Sequence, residues 1–205
     1  MDKLLFATNN PAKLSLLKLI LKSYPLEIVS LKDLHISEKS PELFDNETDN
    51  ATAKSKFFLS RTGITTIADD IGLYVDALDG EPGVQFRRWN GKFQDENIDD
   101  VKWVDYLLKR LEGVTLSERT AKIKTSKVIT KPNGKQYIIK VQKDIIIDTK
   151  PDWKAYVKGF PMSTLAFNKQ YNKLWGLMTD VEKLEYEKYY SKELISVLHK
   201  IYKIN

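Results

Sequence analysis

Ile67-Ala68-Asp69-Asp70-Ile71-Gly72-Leu73 is the stretch of sequence that decides the fold and points to the chemistry. An apolar run typical of a buried strand leads directly to two adjacent carboxylates, and Gly72 then predicts a turn. Neighbouring side chains of a strand point to opposite faces, so one acid can hold a divalent cation while the other accepts a proton or orients the first. An ordinary Asp-Asp turn that ends a strand is the structural alternative.

The start of the chain predicts a strand, a polar turn and a helix. Residues 3–8 have the pattern of a strand, and the leucines after Pro11 predict a helix from about 11 to 23. Asn10 is suited to cap that helix, and Pro11 is suited to its first position. The backbone N–H groups and the positive end of such a helix can bind phosphate. Three more polar side chains lie at the same corner: Thr8, Asn9 and Lys13. No Gly-Lys-Ser/Thr Walker loop is present, and many strand-to-helix turns have a similar pattern.

Acidic residues surround the start of a second predicted helix, which runs from about 48 to 62. Glu42 lies ahead of this helix and Lys54 lies within it. A carboxylate beside a metal ion and an ammonium group beside phosphate are complementary parts of one site. Acids in the first turn of a helix are also expected from the helix dipole alone.

The rest of the chain predicts a continuous series of strands and helices with no linker or repeat. We expect short strands near 27–30, 65–69 and 73–78, and a helix that begins at Asp95-Glu96-Asn97 and ends at Gly113. Two long strands, 119–131 and 135–147, are joined by the hairpin turn Pro132-Asn133-Gly134. Thr179 to Glu182 form a capping box at the start of a helical C-terminal region, and Ser191 is expected to cap a second helix in that region. The pattern predicts an α/β fold (mixed α+β) in which helices flank a mixed sheet.

Composition excludes several classes of protein. The chain has 205 residues, of which 42% are hydrophobic and 30% charged, so it can form one globular domain. Its longest apolar runs are too short to span a membrane, so we do not expect the protein to associate with a membrane. The absence of cysteine excludes a thiol nucleophile and is consistent with a cytoplasmic protein. The net charge of +5, from 33 basic and 28 acidic residues, suits anionic ligands without identifying them.

Taken together, the motifs resemble those of the inosine triphosphate pyrophosphatase family, whose Ham1-like members act on non-canonical purine nucleoside triphosphates. The matching segments lie between about residues 3 and 91: Thr8-Asn9-Asn10…Lys13, Asp49-Asn50-Ala51…Lys54, Ile67 to Leu78, and Gly80-Glu81-Pro82-Gly83-Val84…Arg88-Trp89…Gly91. The resemblance implies hydrolysis of a nucleoside triphosphate to the monophosphate and pyrophosphate with Mg²⁺. It also implies an elongated, twisted mixed sheet in two lobes with a central nucleotide cleft, a single domain over residues 1–205, and a homodimer.

The resemblance also assigns roles to residues. Glu42 and Asp70 would bind the metal ion, and Asp70 would accept the proton of the attacking water with Asp69 beside it. Lys54 would contact phosphate and complete the catalytic set. The remaining substrate-binding residues implied by the resemblance are Thr8, Asn9, Asn10, Lys13, Arg88, Phe160 and Lys183.

The second half of the chain departs from the family pattern. Gly159 to Thr164 keeps a phenylalanine that would stack on the base, but Ser163 replaces the base-reading aspartate. Glu187, Lys188 and Tyr189 stand where the family has Ser-His-Arg, and Ile71 replaces a small hydroxyl residue. Stacking tolerates different bases, whereas polar groups reject wrong ones. We therefore expect relaxed or redirected base specificity.

Two other functions are compatible with the sequence. One is a nucleotide-binding protein without catalysis, although retention of Glu42, Lys54, Asp69 and Asp70 argues against it. The other is nucleic-acid binding through interleaved tyrosines and lysines between Tyr186 and Lys192, which helical amphipathicity explains more simply. We rank both below the pyrophosphatase, so a nucleic-acid partner is not expected.

Overall fold

The computed structural model describes residues 2–40, 44–93 and 98–203. These residues form five α-helices and eight strands. The helices are α1 (Pro11–Ile20), α2 (Glu47–Thr62), α3 (Asp100–Arg110), α4 (Asp180–Tyr190) and α5 (Lys192–Tyr202). The strands are β1 (Asp2–Phe6), β2 (Leu26–Ser30), β3 (Thr66–Val75), β4 (Pro82–Gly83), β5 (Thr120–Thr130), β6 (Gln136–Ile147), β7 (Ala166–Asn168) and β8 (Lys173–Leu174).

The prediction of a turn at Gly72 is wrong. The stretch that includes Asp69 and Asp70 belongs to a single ten-residue strand, β3, rather than to two strands separated by a turn. Gly72 is buried inside β3 and is not among the glycines with a positive φ. The residues on both sides of Gly72 are apolar and favour strand structure, and they outweigh the tendency of Asp and Gly to form turns. The two carboxylates therefore lie in the middle of a strand.

The strands form a mixed sheet with the hydrogen-bonding order β2-β1-β3-β5-β6-β7-β8, and β4 pairs with β3. Strand β1 runs parallel to β2 and to β3, whereas β4 is antiparallel to β3 and β7 is antiparallel to both β6 and β8. The turn between Lys131 and Lys135 joins β5 to β6 as predicted. The predicted α/β class, a mixed sheet with flanking helices, is confirmed.

The described chain divides into two compact units. The first unit contains Met1–Asp70, Thr125–Val141 and Leu184–Asn205. On one face of its part of the sheet, apolar residues of β1, β3, β5 and β6 pack with α1 and α5; Leu17, Ile67 and Leu198 are buried there. On the other face, Ala68 of β3 packs near Phe58 of α2. The two faces of β3 in this unit are thus covered by different helices, α1 and α5 on one face and α2 on the other.

The second unit contains Ile71–Lys124 and Gln142–Lys183. Its core forms where α3 packs on the strands, with Trp103 and Leu107 fully buried against Leu73 and Ile147. Three short 3₁₀ helices, Trp153–Ala155, Pro161–Thr164 and Trp175–Leu177, belong to the same unit. This unit holds the segment Gly159 to Thr164, in which the sequence departs from the family pattern.

Several predicted boundaries shift. Helix α1 ends at Ile20 instead of residue 23, because Pro25 disfavours helical backbone before it. The predicted start of the third helix at Asp95-Glu96-Asn97 lies outside the described residues, and Asp99 caps α3 through Oδ1. Thr179 and Glu182 form the predicted capping box, whereas Ser191 precedes α5 without a side-chain cap.

No helix within residues 2–40, 44–93 and 98–203 combines the length and the apolar character needed to cross a membrane.

Candidate functional site

The corner between β1 and α1 is organised by Asn10. Its Oδ1 accepts hydrogen bonds from the backbone N–H groups of Ala12 (2.9 Å) and Lys13 (3.3 Å), and its own N–H donates to Oγ1 of Thr8 (3.2 Å). Asn10 is therefore the predicted N-cap. Because these backbone groups already serve the cap, any anion at this corner must rely mainly on side chains such as those of Thr8, Asn9 and Lys13.

Asp69 is the buried centre of a lysine cluster in the first unit. Its Oδ1 lies 3.0 Å from Nζ of Lys13, and its Oδ2 lies 3.6 Å from Nζ of Lys127. The ammonium group of Lys54 donates to the backbone carbonyl of Asp69 (3.4 Å). Three lysines from α1, α2 and β5 thus meet at one residue of β3. Sequence reasoning identified Lys13 and Lys54 but missed Lys127, because nothing in β5 shows that its lysine faces Asp69.

The lysines keep the Asp69 carboxylate ionised. Burial alone raises the pKa of this carboxyl, but the charges of Lys13, Lys127 and Lys54 outweigh burial and lower the pKa to about 2. The Asp69 side chain is only 5% exposed, so it depends on these charges and not on water. Asp69 is accordingly an ionised carboxylate with both oxygens close to cations.

Asp70 faces the other side of β3. Nδ2 of Asn50, on α2, donates to Oδ2 of Asp70 (3.0 Å). Asn50 also holds Phe44, since its Nδ2 donates to the Phe44 carbonyl and its Oδ1 accepts from the Phe44 N–H, each at 3.0 Å. The expectation that the two acids point to opposite faces agrees with these contacts. Asn50 lies in the motif Asp49-Asn50-Ala51, but the sequence alone assigned no role to it. Its burial on α2 and its hydrogen bond to Asp70 indicate that role.

Asp70 can contribute to a metal site more readily than Asp69. Asp70 is partly exposed, and carboxylate oxygens are the ligands that hard divalent cations prefer. The predicted second ligand, Glu42, lies outside the described residues. Within those residues no group of three or more acidic or histidine side chains is placed to hold a metal ion. The carboxylate of Asp70 fits a cation with few protein ligands and several waters.

Phe160 forms an aromatic stack in the second unit. Its ring lies 5.4 Å from the ring of Trp175 at an interplanar angle of 25°, and Nζ of Lys183 lies 5.1 Å from the centre of the Trp175 ring. Lys183 also donates to the carbonyl of Gly176 (3.4 Å). The structure therefore brings together two predicted residues, Phe160 and Lys183, through Trp175.

Ser163 has a structural role in the same unit. Its side chain is 1% exposed, and its Oγ accepts a hydrogen bond from the Val157 N–H (2.9 Å). A buried hydroxyl that holds a backbone group is not available to read a base in this arrangement.

The other predicted positions differ in exposure. Arg88 is exposed, whereas the neighbouring Arg87 pairs with Asp100 (Nη2 to Oδ1, 2.6 Å). Among the residues at the position of the Ser-His-Arg triplet, Glu187 is buried and Tyr189 is 63% exposed. Arg88, Phe160 and Lys183 belong to the second unit, and the lysine cluster belongs to the first. That they serve one nucleotide stays a prediction.

These contacts define a mixed α/β protein that gathers lysines and carboxylates around one strand. A family model described as the Ham1 family matches residues 4–150. The dITP/XTP pyrophosphatase of Flavobacterium johnsoniae is 39% identical over 150 residues, which cover 72% of this chain and 73% of that protein. This chain belongs to the Ham1 family.

Further relatives agree with this assignment. The dITP/XTP pyrophosphatase of Thermoanaerobacter sp. (strain X514) is 40% identical over 126 residues, so the aligned part spans 60% of that relative's length. A crystal structure of a nucleoside-triphosphatase / dITP/XTP pyrophosphatase from Mycobacterium abscessus aligns with a TM-score of 0.70 and 29% identity, and the alignment covers 96% of this chain and 98% of that one. The Staphylococcus aureus Ham1 protein shares the fold with a TM-score of 0.77, 23% identity and coverage of 97% and 99%.

Proposed function

We propose that this protein is a metal-dependent nucleoside triphosphate pyrophosphatase. It hydrolyses a nucleoside or deoxynucleoside triphosphate, such as ITP, dITP or XTP, to the monophosphate and pyrophosphate. The observation that carries the proposal is the arrangement around β3, where three lysines approach Asp69 and Asn50 holds Asp70 on the opposite face. The printed names of the relatives, dITP/XTP pyrophosphatases, support the same reaction.

The lysines supply the charge that a triphosphate needs. Hydrolysis of a phosphoric anhydride depends mainly on placing an in-line water and on neutralising the developing charge. Lys13 and Lys54, which approach Asp69 from α1 and α2, are the residues that we assign to the phosphates. Thr8, Asn9 and Asn10 shape the adjoining corner and add polar side chains to it.

Asp70 is the residue that we assign to proton transfer and to the metal ion. Family membership implies a divalent cation, for which Mg²⁺ is the proposed identity, with Glu42 as the second ligand. Such a cation neutralises triphosphate charge and lowers the pKa of bound water. Asn50 fixes the Asp70 carboxylate by its hydrogen bond, so that one oxygen keeps a defined direction. Asp70 accepts the proton of the attacking water, and the neighbouring Asp69 keeps the lysines in place.

Base recognition is the altered part of the proposed function, and its residues lie in the second unit. Phe160 and Trp175 provide an aromatic stack with Lys183 beside it, and stacking accepts many bases. Ser163 is engaged with Val157, so the polar selection expected from an aspartate is missing. We therefore propose weaker discrimination between inosine or xanthosine and the standard bases than in enzymes that read the base with an aspartate.

A substrate panel tests the reaction and the specificity separately. ITP, XTP, dITP, dUTP, ATP and GTP are incubated with Mg²⁺, and pyrophosphate and orthophosphate are quantified. Release of pyrophosphate with the monophosphate supports the proposed reaction, and release of orthophosphate or no turnover contradicts it. Rates that differ little among bases support relaxed specificity, whereas strong preference for ITP over every other nucleotide contradicts it.

The variant Asp70→Asn tests the assigned base. The amide that replaces the carboxylate can still accept the hydrogen bond from Asn50 through its side-chain oxygen, so the fold should be kept. Loss of a general base should lower kcat by about 10² to 10⁴. Asp105→Asn, on the exposed side of α3, is the matched control and should retain activity. Full activity of Asp70→Asn would move the proton-acceptor role to another residue.

Two remaining points belong to the same proposal. A folded wild-type protein that binds triphosphates without turnover would instead indicate the nucleotide-binding alternative. The homodimer implied by the family is checked by light scattering, where a mass close to twice 23.7 kDa is expected and a mass of one chain would contradict it.

A further inference from the structure

The proposed function assigns roles to Lys13 and Lys54 but none to Lys127, the third lysine of the cluster. It lies on β5 and places its Nζ 3.6 Å from Oδ2 of Asp69, while Lys13 occupies Oδ1 at 3.0 Å. Both lysine side chains are 21% exposed, whereas the carboxylate is 5% exposed. Each oxygen of one buried carboxylate therefore has its own ammonium group, one from a helix and one from the sheet.

This arrangement affects how freely Lys13 can move. If a buried carboxylate has a single cation as partner, that cation is held firmly, because removing it leaves an unpaired charge in the protein interior. Lys127 changes this situation, since Asp69 keeps a partner when the Lys13 ammonium leaves. The ammonium groups of Lys13 and Lys127 and the carboxylate of Asp69 together carry a net charge of +1. A phosphate group of the substrate can balance that positive charge.

We propose that Lys127 is a positioning residue of the triphosphate site: it holds the Asp69 carboxylate and thereby lets the Lys13 ammonium turn from Asp69 to a phosphate group of the substrate. The proposal rests on the proposed function in assigning Lys13 to phosphate. Lys127 itself stays on Asp69 and does not touch the substrate. Its effect is consequently on the binding of the phosphate chain and not on the chemical step.

A polyphosphate without a base or a metal ion tests this role directly. Binding of inorganic tripolyphosphate is measured by calorimetry in buffer containing EDTA, for wild type, Lys127→Met and Lys127→Arg. Lys127→Met should weaken binding about tenfold or more, which is the change expected when about 1.4 kcal/mol is lost. Lys127→Arg should restore binding to within about threefold of wild type, because the guanidinium can replace the ammonium beside Asp69. Lys140→Met, an exposed lysine of β6, is the control for a lost charge and should bind like wild type.

A double variant separates positioning from general charge. In Asp69→Asn/Lys127→Met a neutral amide replaces the buried carboxylate, so Lys13 is no longer held by a negative charge. Tripolyphosphate binding should therefore recover relative to Lys127→Met. The double variant also controls for the case in which Lys127→Met folds poorly. It carries no buried carboxylate at position 69, so its tripolyphosphate binding can be compared directly with that of wild type. Equal binding by Lys127→Met and wild type would overturn the proposal, as would no recovery in the double variant or no binding by wild type.

Kinetics provide a second readout that a purely structural role would not produce. With a triphosphate that the wild type hydrolyses, Lys127→Met should raise KM about tenfold and change kcat less than threefold. A loss confined to kcat would overturn the proposal. If no triphosphate is hydrolysed, the proposed reaction fails, while the calorimetric comparison still decides the role of Lys127.

Discussion

Replacing Asp69 by Asn should change how stability depends on pH. In the folded protein, burial raises the pKa of the Asp69 carboxyl, but the neighbouring lysines lower it to about 2 from its ordinary value of 3.8. A carboxyl whose pKa is lower in the folded state stabilises the protein above the unfolded-state pKa. That stabilisation is lost as the pH falls from about 4 through about 2. The side chain is 5% exposed, so screening by water reduces this effect little.

The magnitude follows from the shift. With 1.36 kcal/mol for each pKa unit, Asp69 contributes about 2 kcal/mol that disappears as the pH falls from about 4 through about 2. Asp69→Asn should be less stable than wild type at pH 6, because Lys13 and Lys127 lose their shared carboxylate. On acidification, the free energy of unfolding of Asp69→Asn should fall by about 2 kcal/mol less than that of wild type. The two curves of unfolding free energy against pH should therefore converge at low pH.

Urea denaturation in EDTA buffer at several values between pH 6 and pH 2 measures this difference. Asp105→Asn removes one exposed carboxylate from α3 and is the matched control, which should follow the wild-type curve. Parallel curves for Asp69→Asn and wild type would refute the reasoning, because they would mean that the lysines do not favour the ionised form of Asp69.

Three further substitutions test other parts of the structure. Asn50→Ala removes the hydrogen bond to Asp70 and should lower kcat for pyrophosphate release about tenfold, with wild-type activity as the contradicting result. Ser163→Ala leaves the partly buried N–H of Val157 without its acceptor and should lower the free energy of unfolding by about 1 kcal/mol, whereas unchanged urea denaturation would contradict the contact. Gly176→Ala would build a Cβ into the Ala155 carbonyl oxygen and should destabilise the protein by about 1 to 3 kcal/mol, and an unchanged melting temperature would show that the backbone can separate without strain.

Local patterns predicted much of the fold. The cap at Asn10, the hairpin between β5 and β6 and the capping box at Thr179 each depend on a few adjacent residues, so the sequence displays them directly. Gly72 misled the prediction because the choice between a turn and a strand depends on pairing with distant strands, which local propensity does not include.

The candidate site was predicted less completely. Lys13, Lys54 and the acid pair stand in motifs, and the structure brings them together in one unit. Lys127 comes from a strand that starts about fifty residues later, and only tertiary pairing places it beside Asp69. Trp175 likewise meets Phe160 through folding and not through spacing in the chain. Contacts between distant segments are therefore what the sequence alone did not reveal.

We propose that Asp70 binds the metal ion while Lys13 and Lys54, gathered at Asp69, bind the phosphate chain. The most direct test is a crystal structure with Mn²⁺ and a non-hydrolysable triphosphate analogue, in which anomalous scattering locates the cation. We predict a manganese ion bound by a carboxylate oxygen of Asp70, with Lys13 and Lys54 on phosphate oxygens and Lys127 on Asp69. A cation bound away from Asp70, or a triphosphate that touches neither Lys13 nor Lys54, would contradict the account.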